Sequence, residues 1–186
     1  MINTSDDALM QKIRQGDHQA FAILVDRHLD ALHGFAQRIL GNSADADDIV
    51  QETFLRVWHK ASQWQPKQAK FSTWLHSITH NLCIDFHRRD KIKTVDINDV
   101  ELVSPHQPTD SRQQEDVAVQ VAAALQQLPE NQRSAIILCH YQYMSNREAA
   151  ETLGISLSAL ESLMARGRRK LKKILQVQSD DLLGDF

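Results

Sequence analysis

The sequence predicts an all-α protein in which two small helical domains are joined by an extended acidic linker. Apolar residues recur with the 3.6-residue period of an amphipathic helix along most of the 186 residues. The chain contains only 6 Gly and 4 Pro, too few for the many turns of an all-β protein. The helical period is lost between residues 92 and 114, where Pro105 and Pro108 stand among acidic side chains. This break predicts domains at 1–91 and 115–178, followed by a frayed tail at 179–186.

The N-terminal domain is expected to contain four helices. Asp17 stands at the start of a strongly periodic segment, and Gly41 followed by Asn42 is a typical stop signal. The polar stretch from Gln65 to Lys70, which contains Pro66, is expected to form a loop. The predicted helices lie before Gly16 and at about 17–39, 44–61 and 71–90.

The C-terminal domain is expected to contain four more helices, of which the last two form a helix-turn-helix. Ser145 and Glu148 fit a capping box, in which each side chain bonds to the backbone amide of the other residue. Gly154 suits the left-handed residue that ends a helix, and Ser156 can cap the helix that follows. A short helix, a glycine turn and a longer helix are the parts of a DNA-binding helix-turn-helix.

The second helix of this motif becomes strongly basic along its length. Lys and Arg side chains there would neutralise phosphates beside the groove that the helix enters. The alternative is a solvated basic face, which a charge run alone would favour. Because a helix-turn-helix precedes this run, DNA binding is the favoured interpretation. In the same helix, the guanidinium group of Arg166 can pair with guanine. The carboxylate of Glu161 can accept a hydrogen bond from cytosine N4. The basic residues are Arg166, Arg168, Arg169, Lys170, Lys172 and Lys173.

An acidic face is predicted on the third helix of the N-terminal domain. Asp45, Asp48 and Glu52 share one side of this helix because their spacing is i, i+3, i+7. Acidic residues at a helix N-terminus are also favoured by the helix dipole, so simple capping is the alternative. Glu52 lies two turns from the N-terminus of the helix, where the helix dipole no longer stabilises an acidic side chain. Together with Gln51 and the neighbouring apolar Leu55, the face predicts a docking surface for a basic partner.

The fourth helix carries a polar pair near a basic end. Asn81 and Asp85 lie one turn apart, and the helix ends in Arg88 and Arg89. Such a pair is suited to reading an unpaired base beside the phosphate backbone. Local pairing of Asp85 with either arginine explains the same residues equally well at this point.

No catalytic site, metal or cofactor is expected. His76, His80, Cys83 and His87 form a stripe on one helix, but a single straight helix cannot wrap four ligands around one ion. The sequence contains no glycine-rich phosphate loop, nucleophile elbow or metal-binding carboxylate set. An enzyme and a small-molecule substrate are therefore not predicted.

The remaining composition favours a cytoplasmic protein. The N-terminus is polar and acidic, and no apolar run approaches the roughly 20 residues that span a bilayer. Cys83 and Cys139 lie far apart in helical patterns and are expected to be reduced thiols. The net charge of −3 is unusual for a protein that binds DNA on its own.

Three segments together resemble the extracytoplasmic-function sigma factors of the sigma-70 family. Residues 44–58 (ADADDIVQETFLRVW) resemble the polymerase-binding segment of that family. Residues 71–75 (FSTWL), followed by Asn81 and Asp85, resemble its −10 element reader. Residues 128–133 (LPENQR) and the helix-turn-helix resemble its −35 reading domain. The resemblance covers nearly the whole chain, including the order of the domains and the linker.

This resemblance implies a transcription initiation factor with three binding surfaces and no activity of its own. The partners implied are the β′ clamp helices and β subunit of RNA polymerase, promoter DNA, and an anti-sigma factor, soluble or membrane-bound, that is relieved by a stress signal. The polymerase-binding residues implied are Asp45, Asp48, Gln51 and Glu52. The residues implied at the −10 element are Trp64, Lys67, Lys70, Asn81, Asp85, Arg88 and Arg89. The residues implied at the −35 element are Ser156, Ser158, Glu161, Ser162, Arg166, Arg169 and Lys170.

The second helix of the motif departs from the family pattern at three positions. Glu161 and Leu163 stand where the family often carries basic residues, and Gly167 replaces a common Ala. The glycine is expected to lower helix stability by about 1 kcal/mol. The competing hypothesis is a stand-alone helix-turn-helix regulator with an N-terminal sensing domain. It accounts for the C-terminal half but gives no role to the acidic face or to Asn81.

Overall fold

The chain forms eight α-helices within residues 4–66, 70–94 and 112–183, which a computed structural model describes. Side chains are described over 4–66, 70–89 and 117–176. All regular elements in these ranges are helical. The helices are α1 (Asp6–Ile13), α2 (His18–Leu40), α3 (Ser43–His59), α4 (Phe71–Thr94), α5 (Arg112–Gln126), α6 (Glu130–Ile136), α7 (Asn146–Leu153) and α8 (Leu157–Leu183).

Side-chain caps determine where the N-terminal helices begin and end. Asp17 Oδ1 accepts hydrogen bonds from the amides of Gln19 and Ala20, which fixes the start of α2. Gly41 ends that helix in the left-handed region, with φ of 79°. Asn42 then caps α3 by accepting from the amide of Ala44 at 2.8 Å. The single-glycine turn brings α3 back against α2, and the apolar sides of both helices pack around the fully buried Phe35.

In the C-terminal domain, α6 continues into a single π turn at Ile137–Tyr141 before the helix-turn-helix of α7 and α8. The helix α8 crosses α6 very closely at Gly167. A Cβ atom built on Gly167 would lie 2.8 Å from Cδ1 of Ile136 and 3.3 Å from Cβ of Gln132. A side chain at this position would make Ile136 and Gln132 shift, so the glycine allows the two helices to approach closely.

The two domains contact each other directly. The helix α4 packs against α7, and α2 packs against α5 and the π turn. Buried residues of both domains belong to one continuous hydrophobic cluster, which contains Phe35 and Leu75 on one side and Leu125 and Leu138 on the other. This contact places the start of the helix-turn-helix beside the start of α4.

The predicted all-α fold is confirmed, with differences at the ends of elements. The helix α4 continues to Thr94 and α5 begins at Arg112, so both helices extend into the segment predicted as linker at 92–114. The rest of that segment, 95–111, lies outside the described residues. The helix α8 extends to Leu183, into the predicted tail. The second helix of the C-terminal domain, α6, is α-helical only to Ile136 and continues as the π turn to Tyr141.

Candidate nucleic-acid and partner interfaces

The outer side of α3 presents acidic and apolar side chains together. Asp48 and Gln51 are exposed, and Leu55 keeps 48% of its surface accessible. Asp45 and Glu52 flank them and are half-buried. The helix is oriented this way because Ala46, Ile49, Val50, Thr53 and Val57 are buried on its opposite side.

The carboxylates of α3 differ in their hydrogen-bond and ion-pair partners. Glu52 accepts a hydrogen bond from Nε of Arg56 at 2.8 Å, and Asp47 lies 3.2 Å from Nε2 of His33. Within the described residues, Asp45 and Asp48 have no ion-pair partner. Their charges are therefore available to a basic partner, with Leu55 beside them to bury apolar surface.

The polar side of α4 is a second surface. Asn81, Asp85 and Arg88 share one face by their i, i+4, i+7 spacing, with Asn81 and Arg88 exposed and Asp85 half-buried. Arg89 is exposed next to them. Among the described side chains, Asp85 makes no ion pair with either arginine. This arrangement disfavours the alternative in which Asp85 serves only a local pair.

Trp64 does not lie on this surface, which corrects the expectation that it contacts DNA. Its side chain is only 3% exposed, and its Nε1 donates to Oδ1 of Asp7 at 3.2 Å. The ring packs edge-on against Phe71 at 5.5 Å and beside Trp74 at 5.2 Å. Trp64 therefore packs into the core just before α4 instead of projecting to the surface. Lys67 lies outside the described residues, and Lys70 is exposed at the start of α4.

The histidine stripe of α4 faces inward and is engaged in hydrogen bonds. His76 lies within 2.8 Å of the Ser72 carbonyl and 3.2 Å of Gln142 Oε1, and His80 lies 3.2 Å from Ser134 Oγ. Burial lowers the pKa of His80 to about 4 and raises that of Cys83 to about 12. In the described part of the chain, no group of three or more His, Cys, Asp or Glu is placed to hold a metal ion.

The capping box at the start of α7 forms as predicted. Ser145 Oγ accepts from the amide of Glu148 at 3.3 Å, and Glu148 Oε2 accepts from the amide of Ser145 at 2.9 Å. Glu148 also pairs with Nζ of Lys70 at 2.6 Å. The hydrogen bond from Lys70, followed by those from Ser145, lowers the pKa of Glu148 to about 2. Gly154 has φ of 65°, as the turn of the motif requires.

The helix α8 presents a polar and basic face. Leu160 and Met164 are buried against the domain, which turns Ser158, Ser162 and Arg166 toward solvent. Arg166 is folded back, with Nε donating to the Ser162 carbonyl at 3.2 Å. Ser156 caps the helix by accepting from the amide of Ala159 at 3.2 Å. The other exposed charged residues described on α8 are Glu161, Arg168, Arg169, Lys170, Lys172 and Lys173.

Sequence reasoning missed the polar residues that lie between the domains. Gln142, Ser134 and Arg133 contact α4 or the end of α2, yet no sequence motif marks them as a group. Their partners are 54 to 94 residues away in the chain. In the described ranges, no helix is both long and apolar enough to span a membrane.

Two segments of the chain match family models that correspond to the two domains. Residues 24–92 match the model for sigma-70 region 2, and residues 118–171 match the model for sigma-70 region 4. The first match contains the α3 face and the polar side of α4. The second contains the helix-turn-helix and most of its basic run.

Curated proteins that are similar to this chain are named as sigma factors. The chain is 37% identical to the RNA polymerase sigma factor NccH of Alcaligenes xylosoxydans xylosoxydans, with 92% of this chain and 95% of that protein covered. It is 35% identical to the ECF RNA polymerase sigma factor SigE of Mycolicibacterium smegmatis, with 85% of this chain covered. The chain spans 62% of the length of that SigE protein.

Solved structures of similar fold are also sigma factors. CnrH in complex with the cytosolic domain of CnrY has a TM-score of 0.72 and 30% identity, and the match covers 94% of this chain and 99% of that chain. The sigma factor RpoE in complex with the anti-sigma factor NepR from Bartonella quintana has a TM-score of 0.69 and 26% identity. That match covers 84% of this chain and 97% of the other.

Proposed function

The chain belongs to the extracytoplasmic-function sigma factors of the sigma-70 family, and we propose which step of transcription initiation each of its surfaces performs. It binds core RNA polymerase and directs it to specific promoters. The chain catalyses no reaction itself, because the polymerase supplies the chemistry of RNA synthesis. The domain limits proposed are 1–91 for polymerase binding and −10 recognition and 115–178 for −35 recognition.

The observation that carries this proposal is the exposed α3 face on the same chain as a helix-turn-helix. Asp48 and Gln51 project beside the accessible Leu55, a combination suited to docking on a basic and partly apolar protein surface. We assign this face, with Asp45 and Glu52, to the β′ clamp helices. A stand-alone regulator would have no use for such a surface.

The polar side of α4 is proposed to read and open the −10 element. Asn81 offers a donor and an acceptor to the edge of an extruded base. Arg88 and Arg89 are placed to contact phosphates along the same strand, and Lys70 is proposed to do so from the start of the helix. Trp64 supports this surface from the core by packing against Phe71 and Trp74 at the start of α4.

The chain is also proposed to be held inactive by an anti-sigma protein until a stress signal releases it. CnrH and RpoE, the structural relatives, were solved in complex with CnrY and NepR. Both share the fold of this chain over most of its length. Because core polymerase and the chromosome are in the cytoplasm, we propose that compartment as the place of action.

Arg166 and Lys172 are expected to make different contributions at the −35 element. Arg166→Ala should relax the preference at one base pair, since a bidentate contact with guanine is worth about 1–3 kcal/mol of discrimination. Lys172 lies further along α8, and Lys172→Ala should weaken binding to all sequences while reducing the salt slope by about one unit. Selection from randomised −35 elements by the holoenzyme measures both effects.

Glu161→Lys provides a second arm of the same selection. If Glu161 accepts from cytosine, this variant should change the preferred sequence and not merely raise the affinity. Identical preferred sequences for wild type, Arg166→Ala and Glu161→Lys would contradict base reading by α8. The helix would then act through shape and phosphate contacts alone.

Reconstituted transcription tests the proposed function as a whole. The purified chain, core polymerase and a promoter library should give defined transcripts, while core polymerase alone should not. The net charge of −3 leaves the free chain little non-specific affinity for DNA, so duplex promoter should be bound weakly without polymerase. Tight operator binding by the free chain, with no transcript from the holoenzyme, would support the stand-alone regulator instead.

A further inference from the structure

The helix α8 begins with an accessible leucine between polar residues. Leu157 is the first residue of this helix and keeps 48% of its surface accessible. Ser156 and Ser158, on either side of it, are exposed. A single exposed leucine on an ordinary surface needs no explanation. Leu157, however, stands at the start of the second helix of a helix-turn-helix, and the first residues of that helix meet base edges in the major groove.

The two serines beside Leu157 use hydrogen-bonding capacity within the chain. Ser156 Oγ accepts from the amide of Ala159 at 3.2 Å, which caps α8. The same oxygen lies 3.2 Å from Ser158 Oγ, so one of the two hydroxyl groups donates to the other. This pairing competes with hydrogen bonds from either serine to a base. The accessible apolar surface of Leu157 is therefore a distinctive feature of the start of α8.

Leu157 shares one face of α8 with Glu161. The two residues are four positions apart, so their side chains lie one above the other on the helix. Ala165 continues the same face four residues further and is also exposed, as is Glu161. The face is apolar, then acidic, then apolar. Such a sequence of side chains is unsuited to phosphates, which the basic residues of the later turns can bind instead.

The chemistry of base edges limits what an apolar side chain can recognise in the major groove. Thymine presents a methyl group at C5, and apolar side chains contact it. The groups at the other base edges are hydrogen-bond donors and acceptors. A leucine placed against those groups would displace their water and offer no hydrogen bond in return, which is unfavourable. An apolar residue at this position thus favours thymine and disfavours the other bases.

We propose that Leu157 is a specificity residue that contacts the C5 methyl group of a thymine in the −35 element. This inference rests on the proposed function and deepens it by naming one base that α8 selects. At about 1.5 Å per residue, Leu157 and Glu161 are about 6 Å apart along the helix, which is less than two base-pair steps of about 3.4 Å. The thymine should therefore lie within two base pairs of the cytosine that Glu161 is proposed to read.

Replacing thymine by uracil isolates the proposed contact. Deoxyuridine pairs with adenine as thymidine does and lacks only the C5 methyl group. Any loss of affinity therefore reports on the methyl group and not on hydrogen bonds to the base pair. Removing one methyl group from a closely packed apolar contact should weaken binding about fourfold.

A uracil scan of the −35 element by the holoenzyme provides the test. The element is first selected by wild-type holoenzyme from randomised promoters. Each thymine on either strand is then replaced singly by deoxyuridine, and competition binding measures the affinity of the holoenzyme for each promoter. Wild type should lose about fourfold in affinity at the thymine that Leu157 contacts.

Leu157→Ala should abolish this sensitivity, because the variant no longer reaches the methyl group. It should bind the unmodified promoter at least fourfold more weakly than wild type, and it should bind the thymine and uracil forms equally at that position. Leu157→Met keeps a long apolar side chain and should retain the loss with uracil. Leu29→Ala is the matched control, since Leu29 is 42% exposed on α2, and it should reproduce the wild-type scan. Alanine favours helices, so the helical circular dichroism of both alanine variants should be unchanged.

Three results would overturn the assignment to Leu157. The first is a selected −35 element that contains no thymine, and the second is a wild-type scan in which no uracil weakens binding. The third is a Leu157→Ala holoenzyme that keeps the full loss at the same position, because another residue would then make the contact. The wild-type scan needs no variant, so it stands whether or not Leu157→Ala folds. A holoenzyme that selects no −35 sequence at all would instead refute the proposed function.

Discussion

Replacing Asp48 and Glu52 together by lysine is expected to reduce the affinity for core polymerase at least a hundredfold. The change puts two cations where the proposed partner is basic, and like charges juxtaposed in an interface cost several kcal/mol. Folding should survive, because Asp48 is exposed and Glu52 is half-buried on the outer side of α3. Titration of labelled core polymerase with the variant measures the affinity, and circular dichroism checks the helical content.

The chain offers a matched control on another helix. Asp26 and Asp30 are exposed on α2 with the same i, i+4 spacing, and the double change to lysine alters the net charge equally. This control should bind core polymerase like wild type. Equal affinities for the two double variants would remove the α3 face from the mechanism. Asp48→Lys alone separates the docking charge from the Glu52–Arg56 pair.

Asn81→Ala is expected to leave core binding intact and to reduce open-complex formation ten- to a hundredfold on duplex promoter. Extruding a base costs a few kcal/mol of unstacking, which the pocket that receives it must offset. A template with a pre-melted −10 bubble should restore activity, because its base is already unpaired. Open complexes are measured by permanganate reactivity of unpaired thymines or by transcript yield on both templates.

The informative result is the rescue on the bubble template. Asn131→Ala makes the same substitution at an exposed position on α6, a helix that carries no residue of the proposed −10 surface, and should match wild type on both templates. Equal loss of activity by Asn81→Ala on duplex and bubble would identify Asn81 as a residue of the fold. Its interaction with the His80 ring makes a parallel measurement of thermal stability necessary.

Features that depend on neighbours in the chain were predictable from the sequence. Gly41 and Gly154 take left-handed conformations at helix ends, and Ser145 and Glu148 form the capping box, because caps are local hydrogen-bonding patterns. The exposed positions of Asp48 and Asn81 follow from helical periodicity in the same way.

Features that depend on distant partners were not predictable. Trp64 lies within a polar loop segment by sequence, yet Phe71, Trp74 and Asp7 bury it. The histidines of α4 share a stripe that resembles a metal site by spacing alone. In the other domain, the hydrogen-bond partners of His80 and His76 lie 54 and 66 residues further along, where nothing in the local pattern indicates a contact.

Gly167 influences the orientation of α8, the second helix of the helix-turn-helix, relative to α6. Because Cδ1 of Ile136 and Cβ of Gln132 lie close to where a methyl group would stand, a larger residue at position 167 must displace the Ile136 side chain or shift α8 relative to α6. A small tilt of α8 about Gly167 would become a larger displacement of the side chains toward either end of the helix, which are the ones proposed to contact DNA. A substitution at position 167 that tilts α8 is therefore expected to change promoter preference while the domain stays folded. The glycine lowers the stability of the helix locally, but it helps to fix the orientation of α8 relative to α6.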